Sequence, residues 1–397
     1  MVIHMIKKSK DENEKWVWRS ILTGLAIIGG VAVFGIFASL LNLYGNSKTE
    51  ETTAAAEQTS TDEATNEAEV EPTADSASTE DNAELSKESA QEETQSSPVQ
   101  ITVSAVGDCT LGSDENFSYD TGFDAYYEEY GSSYFFENVR SIFEEDDLTI
   151  INMEGTLTTA EEREDKQFAF KGDPSYTEIL TGSSVEAANL ANNHSQDYGT
   201  KSYEDTIQYL EDAGVTNFGY ERTSVMDIQG IKVGLTGIYV LKDGMEKEEQ
   251  VKENIDALKA KGAQLIIVSF HWGEEKAEYP NDTQQQLSHI AIDQGADLVV
   301  GHHPHVLQGI EKYNGKTIVY SLGNFCFGGN SNPSDMDTMI YQQTFSFVDG
   351  QIQADDVTNV IPCSVSSVSD YNNYQPTPCE GEESQRILDK IQERAIR

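Results

Sequence analysis

Five apolar runs in this chain end abruptly in polar side chains. Ile101–Val106 stops at Gly107-Asp108, and Leu148–Ile151 leads to Asn152-Met153-Glu154. Ala187–Ala191 meets Asn192-Asn193-His194, Leu265–Phe270 meets His271, and Asp297–Val300 opens into Gly301-His302-His303-Pro304-His305. Uninterrupted apolar strands suit a sheet covered on both faces, and such sheets bind ligands outside the carboxyl ends of their strands. Placed side by side, the five strands bring their polar ends to one edge. Between them the periodicity becomes helical, predicting helices over Tyr134–Glu144, Pro174–Thr181, Lys201–Ala213, Glu246–Lys261 and Asp282–Gln294. Gly214, Gly262 and Gly295 stand where left-handed caps are expected, and Asp282 fits an N-cap with Gln285 three residues on. After the histidine cluster, Gln308–Tyr313, Thr317–Ser321, Thr338–Val348 and Gln351–Ile361 read as short strands joined by tight turns. This later half is expected to pair antiparallel and stack on the first sheet. Glu382–Ile396 reads as a terminal amphipathic helix. The fold class is α/β, a two-sheet sandwich with helices outside.

Composition divides the chain more sharply than its length. Residues 1–19 carry Lys7, Lys8, Lys10, Lys15 and Arg19, whereas 20–47 hold no charged residue and Ile21–Leu43 is strongly apolar. About 20 apolar residues span a bilayer core, longer than the apolar part of a cleaved leader. Segment 20–47 is therefore expected to be one uncleaved transmembrane helix. The basic flank places the N-terminus in the cytoplasm and the rest of the chain outside the cell, in a single pass. Small residues around Ala26–Gly30 suit helix packing in a membrane synthesis or export complex. Residues 48–98, rich in Glu, Ala, Ser and Thr, lack the apolar surface to offset chain entropy and are expected to be a disordered acidic linker. The folded domain is then 99–362, with 363–397 a C-terminal extension carrying the amphipathic helix. A formal net charge of −43 makes nucleic acid an improbable partner. It also means that an anionic substrate needs a local cation to approach.

The strand ends supply the candidate chemistry. A lone Gly-Asp or a lone histidine after a strand is more often a turn cap or a satisfied core residue. Three of the seven histidines within four positions, on a loop stiffened by Pro304, instead favour metal binding. Carboxylate, amide and imidazole donors without thiolates suit Mn, Zn or Fe, and one or two such ions are expected. A carboxylate can bridge two ions, and His194 is placed to give a proton to a leaving group. This set points to a metal-dependent hydrolase. Cys363 and Cys379 bracket a Ser/Asn/Pro-rich loop and are the candidate disulfide. Cys109 and Cys326 can pair, bind metal or serve as small apolar fillers.

With Gly107-Asp108-x-x-Leu111, Asn152-x-Glu154-Gly155, Asn192-Asn193-His194, His271-Trp272-Gly273, Gly301-His302-His303-Pro304-His305 and Tyr320-Ser-Leu-Gly-Asn324-Phe325, the chain resembles the CapA family of poly-gamma-glutamate capsule biosynthesis proteins. That family is similar to the calcineurin-like metallophosphatases. The resemblance covers about Thr102 to Pro378. It implies a metallophosphatase-like four-layer α/β/β/α fold, and an exported domain serving an anionic cell-surface polymer, poly-gamma-glutamate. By the same resemblance Asp108, Glu154, Asn193, His271, His303 and His305 are the ligands and His194 the proton donor. Thr110 stands where metallophosphatases place a histidine; Glu275, His302 or Cys109 are candidates for that place, and Asn192 is a further candidate site residue. Three readings follow: a hydrolase or transferase acting on the polymer, a phosphoesterase, or a non-catalytic polymer-binding subunit.

Overall fold

The apolar runs do become strands, but they are shared between two sheets. The computed structural model describes residues 98–354 and 357–396, all within one compact unit. The segments expected over 1–19, 20–47 and 48–98 lie outside the described residues, apart from Pro98. No helix among the described residues is long and apolar enough to cross a membrane. In chain order the strands are β1 (Val99–Thr110), β2 (Ser113–Asp114), β3 (Leu148–Met153), β4 (Thr156–Leu157), β5 (Phe170–Gly172), β6 (Ala187–Asn189), β7 (Thr216–Phe218), β8 (Ser224–Ile228) and β9 (Ile231–Tyr239). They continue as β10 (Leu265–His271), β11 (Leu298–His302), β12 (Ile310–Tyr313), β13 (Lys316–Val319), β14 (Asn324–Phe327), β15 (Asp337–Val348), β16 (Gln351–Ile352), β17 (Val357–Ser364) and β18 (Thr377–Pro378). The α-helices are α1 (Phe123–Tyr130), α2 (Arg140–Glu144), α3 (Thr177–Thr181), α4 (Gly199–Asp212), α5 (Glu248–Ala260), α6 (Asp282–Gln294) and α7 (Gly381–Glu393).

The first sheet runs β18-β17-β15-β1-β3-β6-β7, and the second runs β12-β13-β11-β10-β9-β8. Three of the five apolar strands (β1, β3, β6) thus sit in one sheet and two (β10, β11) in the other. The later hairpins do not form a separate layer. β15 and β17 extend the first sheet antiparallel, while β12 and β13 extend the second.

Alternation along each strand explains the layering. Leu148 and Ile150 of β3 meet Leu265, Ile267, Leu298 and Val300 between the sheets, whereas Ile151 and Met153 point outward. The outward set packs on Val139, Phe143, Ile179 and Leu210 from α2, α3 and α4 and their flanks. Ile266, Val268 and Val299 turn the other way, onto Val251, Ile255 and Leu287 of α5 and α6. The result is the expected helix–sheet–sheet–helix stack. α7 sends Ile387 and Ile391 into the core between the sheets.

Several local expectations shift. The helix expected over Tyr134–Glu144 is regular only at Arg140–Glu144, preceded by a 3-10 turn at Ser132–Tyr134. The cap of α6 is Asn281, not Asp282, and Gln284 returns the bond to the Asn281 N–H. Gly214, Gly262 and Gly295 have the positive φ of left-handed helix ends. All four cysteines are free thiols. Cys363 lies opposite Pro378 and joins the outer core, so Cys379, one residue on, packs toward the core between the sheets. The two thiols therefore leave opposite faces, which is why the expected bridge is not made.

At the amino ends of β3 and β6, half-buried Glu186 and Asp146 close on Thr149. Glu186 accepts the Thr149 N–H at 2.8 Å and Asp146 the Thr149 hydroxyl at 2.8 Å. Burial is the main cause that raises both carboxyls, Glu186 to about 7 and Asp146 to about 6. A carboxyl whose folded value lies above its unfolded value of about 4 stabilises most below that pH, and its contribution falls away as pH climbs toward about 7. Glu186→Gln, which keeps an acceptor for Thr149, should shrink the fall in urea midpoint between about pH 4.5 and about pH 8. A fall as large as the parent's would show that Glu186 ionises in the fold without penalty.

Candidate metal centre at the facing strand ends

The carboxyl ends of both sheets converge, and the side chains that stop their strands meet there. Asp108 comes from the end of β1, where Gly107 lets the chain pass Gly323. A Cβ on Gly107 would lie 2.1 Å from the Gly323 oxygen, and the Asp108 N–H bonds that oxygen at 2.9 Å. Glu154 follows β3 directly, and its N–H bonds the Cys109 carbonyl at 2.9 Å. Asn193 and His194 sit on the turn after β6. From the opposite sheet come His271, the last residue of β10, and the loop His303-Pro304-His305 after β11. His303 and His305 both have positive φ, 94° and 57°. Non-glycine residues hold that conformation only where their surroundings impose it.

Two groups of donors form around one carboxylate. Glu154, His271 and His303 offer ligand atoms within 4.8 Å of one another, and so do Asp108, Glu154 and His305. Glu154 Oε1 is 3.7 Å from His271 Nε2 and 3.8 Å from His305 Nε2. Asp108 Oδ2 is 3.2 Å from His305 Nδ1, and Asn193 Oδ1 is 2.6 Å from His271 Nε2. Both Glu154 oxygens are buried without a hydrogen-bond partner, as is His303 Nδ1. Buried polar atoms are normally satisfied, and a buried carboxylate without a partner is costly. A divalent cation answers that need, and the residues present fit one.

The charges follow from this crowding. Burial pushes the Glu154 carboxyl up, and the Asp108 carboxylate pushes it further. Burial also works to raise Asp108, but the hydrogen bond from His305 and the imidazoles around it hold it well below the usual range. Burial lowers His271 strongly and His303 to about 4, leaving both imidazoles neutral and free to donate lone pairs. His305 goes the other way, to about 10, because the carboxylates of Glu154 and Asp108 outweigh its burial.

His194 stands beside this centre, its Nε2 4.0 Å from Glu154 Oε1. Its Nδ1 lies 2.7 Å from Asp197 Oδ2, and Asp197 is itself held by Lys166 Nζ at 2.6 Å and the Phe170 N–H at 2.5 Å. Burial lowers the imidazole against the pull of Asp197. Asp197 is a candidate site residue absent from the sequence-based set; its signal was the spacing of three from a candidate histidine. Asn152, buried near the end of β3, is another. It donates to Asp108 at 2.8 Å, lies 3.3 Å from His271 Nδ1, and receives the Asn189 amide at 2.9 Å.

The further candidates fall outside the donor groups. Asn192 donates to the Met153 carbonyl and accepts the His194 N–H, so it shapes the turn. Both ring nitrogens of His302 face main-chain carbonyls, Phe270 at 3.3 Å and Val106 at 3.2 Å, tying one sheet to the other. Cys109 points into the outer apolar core with Cys326, as a small apolar filler. Exposed Glu275 reaches only the rim. Over the centre lies a cleft of about 510 Å³ lined by Lys166, Phe168, Phe170, His194, Lys276 and His305 among others. A hollow of about 640 Å³ beside α7 is lined instead by charged side chains such as Arg386, Lys390 and Arg394, each bound to a carboxylate, and it has no ligand cluster.

A family profile described as "Bacterial capsule synthesis protein PGA_cap" matches residues 102–329. The "PGA biosynthesis protein CapA" of Bacillus subtilis (strain 168) is 31% identical over 224 residues, covering 50% of this chain and 58% of the relative. The "Capsule biosynthesis protein CapA" of Bacillus anthracis is 32% identical over 224 residues, covering 50% and 54%. The chain thus spans about half the length of the curated relatives it matches. A hypothetical protein from Thermus thermophilus overlays with a TM-score of 0.42 at 14% identity, over 66% of this chain and 99% of that one.

Proposed function

The chain belongs to the family of the bacterial capsule synthesis protein PGA_cap, and on that footing we propose that it is a metal-dependent hydrolase or transferase acting on an anionic cell-surface polymer of the poly-gamma-glutamate kind. The names of its Bacillus relatives support the polymer. The chemistry rests on one observation: a buried carboxylate, Glu154, with both oxygens unpartnered, shared by two donor groups and adjoining a histidine–aspartate pair. We take the apolar segment 20–47 to anchor this domain at the outer face of the membrane.

Asp108, Glu154 and His305 would hold one cation, and Glu154, Asn193, His271 and His303 another. When bound, such a cation supplies Lewis-acid polarisation of a carbonyl or phosphoryl group. The chain's own residues do the rest. Asp197 receives Nδ1–H of His194, so Nε2 is the atom that takes up and returns a proton in the cleft. Lys166 and the Phe170 N–H fix Asp197 and hence the ring. Lys276 and Lys166, the latter paired with Asp197, place cationic groups beside Glu275 and Asp335 on the cleft rim, where polymer carboxylates would meet them. Phe168, Phe170 and Phe327 line the same wall and narrow the space open to water.

The full chain, loaded with Mn²⁺ or Zn²⁺, should shorten or transfer poly-gamma-glutamate, read as a change in its size distribution. His194→Ala should lower that rate by about 10²–10⁴-fold while cation content stays unchanged. Turnover of a chromogenic phosphoester with no effect on the polymer would move the assignment to a phosphoesterase. Polymer binding without turnover of either would move it to a binding subunit.

A further inference from the structure

The two donor groups are not equivalent. Glu154 and His271 are wholly buried and His303 nearly so, and the Asn193 amide oxygen reaches the His271 Nε2 edge. Four protein donors therefore converge here, three of them buried, while the fourth, Asn193, lines the cleft. In the other group, Asp108 is buried but already engaged: Oδ1 accepts from Asn152, and Oδ2 lies 3.2 Å from both the His303 N–H and His305 Nδ1. His305 lines the cleft and shares its Nδ1 with Asn324 Oδ1 at 2.8 Å. Thr110, two residues along β1 from Asp108, offers only a buried hydroxyl without a partner, a neutral and weak donor. This position has three donors, one fewer than the first, and its Asp108 already accepts from Asn152 and the His303 N–H.

Resting on the metal reading above, we propose that the two positions load unequally. One divalent cation is held tightly by Glu154, Asn193, His271 and His303. A second binds weakly and exchangeably at Asp108, Glu154 and His305, with vacant coordination turned toward the cleft. Four-donor sites retain metal, whereas three-donor sites leave a place for solvent or substrate. The second site is then filled according to the cation supply around the protein, and the tight site persists when that supply falls.

The test uses the full chain, stripped with chelator and titrated with Mn²⁺ alone by calorimetry, with metal content measured after dialysis into metal-free buffer. The expected result is one retained equivalent and a second that binds about tenfold or more weakly and is lost on dialysis. His305→Ala should erase the weak step and keep the retained equivalent. His303→Ala should lose the retained equivalent, with circular dichroism confirming the fold. Two equal steps, a single step only, or loss of the retained equivalent in His305→Ala would overturn unequal loading while leaving metal binding intact. No binding of any cation would sink the metal reading itself.

Discussion

Glu154→Gln is expected to weaken cation binding at both positions and abolish the retained equivalent, while leaving the cation-free protein about as stable as the parent, or more so. Every other donor serves one group, whereas Glu154 serves both. An amide has one weak acceptor in place of two anionic oxygens, so both affinities should drop by about a hundredfold or more. The stability argument runs opposite to that for ordinary core substitutions. Without metal, Glu154 is a fully buried acid whose two oxygens have no partner and whose neighbour Asp108 repels its charge. Removing such a charge while keeping the shape is commonly neutral or stabilising. Metal analysis after dialysis, and urea melts in chelator, read the two effects separately. A variant that keeps one full equivalent would show that the carboxylate is not shared.

Trp272→Ala should be the most destabilising single change near the site, by about 3–5 kcal/mol. The indole is wholly buried and stacks on Phe270 with centroids 4.3 Å apart and planes 7° from parallel. Its Nε1–H donates to the Tyr320 carbonyl at 2.9 Å, joining the end of β10 to the segment after β13. It also rests on bare backbone: a Cβ on Gly301 would lie 2.5 Å from Nε1. Truncation leaves a cavity and an unpaired carbonyl, and it loosens His271, the adjacent candidate ligand. Retained metal should fall with stability. Trp272→Phe, which fills most of the space and loses mainly the hydrogen bond, should cost about 1–2 kcal/mol. Equal melts for the two variants would contradict this account.

Much of the site was legible because β1, β3, β6, β10 and β11 are apolar runs that stop at their functional side chains. The sequence pattern could not assign those strands to sheets, since a strand covered on both faces looks alike in either. β9 escaped notice because Gly234 and Gly237 interrupt its apolar run. Those glycines are demanded by close neighbours: a Cβ on Gly237 would lie 1.9 Å from Asn189 Oδ1, and one on Gly234 2.9 Å from the Ala263 Cβ. α1 was missed because its eight residues, Phe123–Tyr130, are aromatic and acidic, with only Phe123 fully buried, so no stripe appears. Asp197 was hidden for another reason. Its partners Lys166 and Phe170 come from the loop before β5 and the first residue of that strand, and nothing in their spacing announces them.

The donors that would embrace a cation arrive from both halves of the sandwich, and Asp108 and His303 are 195 positions apart in the chain. Only the docking of the two sheets brings the full set of these distant donors within reach of one ion, so the docked sheets bear the loop-closure cost. Ion capture must therefore come last in assembly, as a clasp fastened across two finished halves, and never as a seed for folding. A newly made polypeptide would take its ion from whichever compartment it folds in. The identity of that ion would then record where the molecule matured, as much as what its ligands prefer.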